Sequence, residues 1–170
     1  AERFAREKQV RAFESVDELL ACPEIDVVTI CVPSGLHAEL AIKAANAGKH
    51  IIVEKPMAIT KEQLDAMEEA CERNGVMLSS VAQSRFTSGV RKAKQAIEEG
   101  HLGKLVCADV YMKFYRSQEY YNTGGWRGTK AMDGGGALMN QGIHGIDIMR
   151  YLVGSVKNVH GLSKTLHHNI

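Results

Sequence analysis

Three short apolar runs, separated by amphipathic stretches that begin and end on capping residues, constrain this chain more than any other feature. The first run, Asp26-Val27-Val28-Thr29-Ile30-Cys31-Val32, is β-branched and nearly continuous. It lacks polar–apolar alternation, so the pattern predicts a central parallel strand buried on both faces. Pro33-Ser34-Gly35 breaks it. A helix is expected next, with Leu40, Ala44 and Ala47 on one stripe and Gly48 as its stop. His50-Ile51-Ile52-Val53 is the second strand. Thr60, with Gln63 three residues on, has the spacing of a capping box. The helix it opens carries Leu64, Met67 and Cys71 as a buried stripe and ends at Asn74-Gly75. Val76-Met77-Leu78 is the third strand. Strand–helix–strand–helix–strand at this spacing is the βαβαβ half of a doubly wound parallel sheet.

The flanks read differently. Residues 1–8 read as a helix charged on most faces, and Val10 to Phe13 as a short strand. Ser15, with Glu18 at capping-box spacing, opens a small helix that ends at Pro23. Beyond Arg85 the character changes. Val90, Ala93 and Ile97 mark a helix closed by Gly100. Leu105 to Tyr115 then alternates, with Val106, Ala108, Val110, Met112 and Phe114 on one side. Period-2 alternation predicts a sheet with one buried face, as in antiparallel sheets. Leu138 to Leu152 is expected to be helical and Val156 to Leu162 a strand. The reading is α/β over residues 1–85, followed over residues 86–170 by part of an α+β domain with an open, mainly antiparallel sheet.

The 21 basic and 20 acidic residues leave a formal net charge of +1. That balance gives no reason to expect nucleic acid or an anionic membrane as partner. No apolar run approaches the ~20 residues that cross a bilayer. Ala1-Glu2-Arg3-Phe4 has no charged-then-apolar pattern, so no secretory leader is expected within these residues, and one could precede Ala1 in missing sequence. Cys22, Cys31, Cys71 and Cys107 form no C-x-x-C pair, and buried free thiols in a reducing cytoplasm are the expectation.

Ligands of open parallel sheets bind beyond the carboxyl ends of the strands. Three such ends occur here: Pro33-Ser34-Gly35, Glu54-Lys55-Pro56, and Ser79 to Arg85. A lysine leaving an apolar strand is partly desolvated, which makes it a usable proton donor or acceptor, although a solvated loop lysine fits the spacing as well. A second cluster follows Gly134-Gly135-Gly136. Helical spacing there puts Asn140, His144 and Asp147 on one face. Amide, imidazole and carboxylate in one stripe can hold hydroxyls and move a proton, or can simply hydrogen-bond neighbouring elements. His144 and Asp147 alone supply two ligands, so no metal is expected.

Val53-Glu54-Lys55-Pro56 resembles the Glu-Lys-Pro signature of the Gfo/Idh/MocA oxidoreductases. Pro33-Ser34-Gly35-Leu36-His37 resembles the preceding strand end of that family, and Ala45-Asn46-Ala47-Gly48-Lys49-His50 its lead into the second strand. Gly134-Gly135-Gly136-Ala137-Leu138, running on to Gly142-Ile143-His144 and Asp147, resembles the start of the long helix of the C-terminal domain. Trp126-Arg127 fits before it. The resemblance implies a partial Rossmann domain and hydride transfer between NAD or NADP and a carbon of a sugar or cyclitol. It implies Lys55 and His144 as the catalytic pair. Pro33, Ser34, His37, Glu54, Lys55, Trp126 and Arg127 would line the cofactor. Lys55, Arg116, Tyr121, Asn140 and His144 would hold substrate, with Tyr120 beside them. Asn140 stands where many members carry Asp. The resemblance further implies a homodimer or homotetramer, formed on the sheet that includes Leu105 to Tyr115. The alternative it leaves open is a non-catalytic, nucleotide-sensing regulator of the same fold.

The G-x-G-x-x-G loop that meets a pyrophosphate does not occur, since Gly35 and Gly48 are the only glycines before residue 50. The expectation is therefore that further sequence lies on both sides. The 170 residues alone are expected to bind nicotinamide cofactor weakly and to be inactive. The tail histidines are expected to be a disordered polar end.

Overall fold

A computed structural model describes residues 1–168. Its centre is a three-stranded parallel sheet in the order β1-β2-β3, formed by Val27–Ile30, His50–Val53 and Leu78–Ser80. Val28 pairs with Ile51, and Ile51 with Leu78. Two helices cross between the strands, α3 (His37–Asn46) and α4 (Lys61–Asn74). The start of α4 forms as its sequence predicts. Thr60 Oγ1 accepts from Gln63 N–H at 3.2 Å, and Gln63 Oε1 accepts from Ile59 N–H at 3.2 Å. Two otherwise orphaned amides are thereby satisfied. At the other end Gly75 takes φ 64° and closes the helix onto the carbonyls of Cys71 and Glu72.

The core lies on one face of the sheet. Ile51 and Val53 of β2, at 1% and 0% exposure, meet Met67 of α4 at 0%. Ala41, Ala44 and Ala45 of α3 fill the rest, small enough to let α3 approach both the sheet and α4. The buried stripe of α3 is thus Ala38, Ala41, Ala44 and Ala45. Leu40 is only partly buried and Ala47 is exposed, which corrects the expected stripe. On the opposite face of the sheet, Val27 is 48% and Ile52 38% exposed among the described residues. The central strand is β2, and β1 lies at an edge. Burial of β1 on both faces is therefore not met among the described residues.

Before the sheet come α1 (Glu2–Lys8) and α2 (Val16–Ala21). Ser15 caps α2 by accepting from Glu18 N–H at 3.1 Å. Val10 to Phe13 forms no strand. After the sheet, a 3₁₀ turn over Gln83–Phe86 leads into α5 (Ser88–Glu98), and a short α6 follows (Gln118–Asn122). The expected helix at 138–152 is a π turn, Leu138–Gly142, running into α7 (Ile143–Val153), which packs on α5 and on the 3₁₀ turn.

The antiparallel sheet does not form among the described residues. Residues 105–115 and 156–162 lack strand pairing, and Val106, Tyr111 and Leu162 are more than four-fifths exposed. A strand without neighbours has no acceptor for its amides and one face left in water, so alternation alone does not create a sheet. Only the middle of the first segment packs. Val110 and Met112 lie so close to Gly145 of α7 that a Cβ there would meet both. All four cysteines are free. Cys22 and Cys71 are buried as expected, whereas Cys31, just past the end of β1, and Cys107, in the unpaired 105–115 segment, are exposed. The tail histidines are not a free end, since the His168 ring lies 4.9 Å from that of Tyr121.

Candidate active site

The ends of the three strands form the floor of the site. Glu54 N–H donates to Ile30 O and Val81 N–H to Val53 O, both at 3.0 Å, so the three exits stay side by side. Lys55 leaves β2 half-buried, immediately before Pro56. Its Nζ donates to the main-chain oxygen of Asn140 at 2.8 Å, a contact spanning 85 residues of chain. Asn140 sits in the π turn, a widened turn of the kind that recurs at functional sites. Between strand ends and α7 lies a cavity of about 280 Å³, lined by Lys55, Ser80, Val81, Arg85, His144 and Asp147.

The imidazole of His144 is pushed below the ordinary histidine range. Burial is the larger cause and the Lys55 ammonium the next, while Asp147 and Glu54 pull the other way. A lowered value means the ring is neutral at neutral pH and can accept a proton. In an NMR titration of the ring, Lys55→Met should move the His144 midpoint up, and Asp147→Asn should move it down. Shifts of the opposite sign would mean that these charges do not act on His144 as the geometry requires.

Two participants were not apparent in the sequence. Arg85, on the 3₁₀ turn after β3, grips Asp147 of α7. Its Nε donates to Oδ1 and Oδ2 at 3.1 and 2.9 Å, its Nη2 donates to Oδ1, and its guanidinium lies over the Tyr151 ring. The sequence signal was slight: an arginine just past a strand end and an acid one helical turn beyond His144. The second is Asp133, which is buried in the turn before the glycine run and touches Asn140.

The cofactor candidates lie in two places. Ser34 is buried, Pro33 half-buried, and Gly35 N–H donates to Met132 O at 2.8 Å, so the loop after β1 packs beneath the 129–136 turn. His37 is 1% exposed, with Nδ1 2.8 Å from Pro56 O and Nε2 2.9 Å from Val32 O. It staples the loops after β1 and β2 together and offers no free ring edge to a ligand. Glu54 folds back, its Oε2 accepting from Lys55 N–H at 3.1 Å. Trp126, Arg127, Tyr120 and Arg116 form a separate cation–aromatic cluster, with the Arg127 guanidinium 4.8 Å from the Tyr120 ring centre. Arg116 and Tyr121 border a second cavity of about 910 Å³, lined also by Leu138, Gln141 and Gly142 of the π turn but not by Lys55. Lys55, His144 and Asp147 therefore come together in one cavity, and Asn140 joins them through its carbonyl. Arg116, Tyr121, Trp126 and Arg127 do not line that cavity.

Comparison with known proteins gives a consistent answer. The family model described as "Oxidoreductase family, NAD-binding Rossmann fold" matches residues 1–82. The "GFO/IDH/MocA C-terminal domain" matches residues 90–170. Levoglucosan dehydrogenase of Pseudarthrobacter phenanthrenivorans is 38% identical over 97% of this chain and 42% of its own length. The scyllo-inositol 2-dehydrogenase (NAD(+)) of Bacillus subtilis is 34% identical over 98% of this chain and 47% of its own. Among solved structures, the WlbA dehydrogenase from Bordetella pertussis, in complex with NADH and UDP-GlcNAcA, superposes with a TM-score of 0.88 at 37% identity. That match covers 99% of this chain and 52% of that one. The chain thus spans about half the length of the proteins it matches. Both halves of the family pattern lie in order along these residues, around the lysine and histidine that line one cavity, and the chain belongs to the Gfo/Idh/MocA oxidoreductase family.

Proposed function

We propose that the protein carrying this chain transfers a hydride between NAD or NADP and the carbinol or carbonyl carbon of a sugar, sugar derivative or cyclitol. The observation that carries this reading is the convergence of Lys55 and His144 on one cavity at the strand ends. The named relatives act on levoglucosan and scyllo-inositol, and the superposing WlbA structure holds NADH and a nucleotide sugar. We place the division between cofactor-binding and substrate domains near residue 85, between the two matched regions.

The residues present fit the nicotinamide end of such a cofactor. Val81 and Ile143 supply apolar wall, Lys55 and His144 supply proton-bearing groups, and the strand ends supply main-chain edges. Lys55, Pro33, Ser34 and Glu54 would hold that end, with Trp126 and Arg127 closing over it. Hydride acceptance or donation is the chemistry a bound nicotinamide contributes. The Lys55 ammonium, fixed by the Asn140 carbonyl, points a proton at the reacting oxygen and stabilises negative charge there. His144, neutral by burial, takes the hydroxyl proton in oxidation and returns it in reduction. Arg85 neutralises Asp147 and so keeps an uncompensated carboxylate away from the histidine. Arg116, Tyr121 and Asn140 would hold the remaining hydroxyls.

The test is a panel of anhydrosugars, nucleotide-linked uronic acids and inositols, offered with NAD and NADP to the full-length protein while nicotinamide absorbance is followed. Turnover of at least one class supports the reading. Tight cofactor binding with no absorbance change across the panel would favour a non-catalytic sensor. The exposed apolar side chains of residues 105–115 support self-association as a dimer or tetramer. In light scattering at micromolar concentration the full-length protein should exceed its monomer mass, and a clean monomer would contradict this.

A further inference from the structure

Asp133 is the one fully buried carboxylate among the described residues, at 1% exposure. No cation among those residues pairs with it. A carboxylate held out of water by hydrogen bonds alone costs stability, so its position requires an account. Its Oδ2 accepts from Gly128 N–H at 2.8 Å, and its Oδ1 accepts from Asn140 Nδ2–H at 2.8 Å. The turn around it is tight, since Asp133 N–H itself donates to Thr129 O at 2.9 Å.

These contacts join two parts of the site. Gly128 directly follows Trp126 and Arg127. Asn140 presents its main-chain oxygen to Lys55 Nζ at 2.8 Å. An ionised carboxylate only accepts, so it sets which way the Asn140 amide faces, with Nδ2 toward Asp133. The amide oxygen then takes Gln141 Nε2–H at 3.0 Å. Asn140 is thus held to Asp133 by its side chain and to Lys55 by its main-chain oxygen.

We propose that Asp133 is a positioning residue: its carboxylate clamps the Asn140 side chain and, through the Asn140 carbonyl, aims the Lys55 ammonium into the cavity. The catalytic consequence rests on the oxidoreductase reading, whereas the clamp does not. The pattern of donors makes the proposal testable by exchange. Asp133→Asn leaves one of two N–H donors facing an NH₂ group. Asn140→Asp sets two carboxylates against each other. The double exchange restores the match, with residue 133 accepting from Gly128 and donating to residue 140.

Three variants of the full-length protein decide it: Asp133→Asn, Asn140→Asp, and the two combined. Asp133→Asn should lower kcat by about 100-fold, the scale expected when a catalytic group is displaced by about 1 Å, with cofactor KM within about twofold. The combined variant should recover to within about tenfold of the parent. Independently of turnover, the ζ-ammonium signal of Lys55 in ¹⁵N NMR should be slow-exchanging in the parent and the combined variant, and broadened in each single variant. That arm stands even if the protein proves not to be an oxidoreductase. If Asp133→Asn fails to fold, recovery of the fold and of the Lys55 signal in the combined variant supports the clamp. An unchanged Lys55 signal in Asp133→Asn overturns it. So does a combined variant whose losses are the sum of the single ones.

Discussion

Replacing Lys55 by alanine is expected to reduce turnover by about 1,000-fold, within the range for loss of a positioned donor that stabilises charge developing at the reacting oxygen. The side chain is placed for that role by three features. It leaves the central strand β2, whose Val53 is fully buried, so its backbone cannot drift. Its Nζ is tethered to the Asn140 carbonyl rather than free in solvent. It shares one cavity with His144. Cofactor affinity should change far less, since most contacts to a dinucleotide lie away from the reacting carbon. Lys55→Arg should not rescue turnover. A guanidinium keeps the charge, but it is larger and its fork does not match a single carbonyl, so the charge is displaced from the reacting oxygen. The measurement is kcat beside calorimetric cofactor affinity in the full-length protein. Turnover within tenfold of the parent in Lys55→Ala would remove Lys55 from the chemistry.

The second large effect is expected at Gly35, which contacts no substituent of the site directly. A Cβ there would sit 2.6 Å from Ala131 O and 2.9 Å from Met132 Cα, closer than real contacts allow. The Met132 sulfur, also within 3 Å, could swing aside, but the backbone of residues 131–132 could not. That backbone receives the Gly35 N–H and leads straight into Asp133. Gly35→Ala should therefore pry the 129–136 turn from the loop after β1. Overpacking against a fixed neighbour costs about 1–3 kcal/mol. Turnover should fall as well, because the displaced turn carries the carboxylate that holds Asn140. Gly89→Ala is the matched control, since nothing lies within 4 Å of its Cβ position in α5. Thermal melting of both variants, with kcat alongside, separates the two. Equal melting temperatures for Gly35→Ala and the parent would show that the loop gives way cheaply.

The elements of the sheet half were legible in the sequence because each is decided locally. Val27 to Ile30 and His50 to Val53 are short, apolar or β-branched and bounded by breakers, and the start of α4 is written in Thr60 and Gln63. The third strand was expected at Val76 to Leu78 and instead pairs over Leu78–Ser80, two residues later. The positions of Lys55 at a strand end and of His144 on a helix followed from the same local rules. The resemblance implied the two as a pair, but no local rule brings them to one cavity, since their approach depends on how residues 86–153 fold back over the strand ends. Contacts at that range leave no periodic trace. Arg85 and Asp147 meet across 62 residues, and neither carries a local sign of the other. Asp133 carried no signal in the sequence, because burial of a single loop residue depends on what packs over it. The edge position of β1 and the unpaired course of residues 105–115 follow from the same physics. Alternation reports which side chains would share a face, but pairing requires a neighbouring strand to accept the amides, and local sequence does not say where that neighbour is.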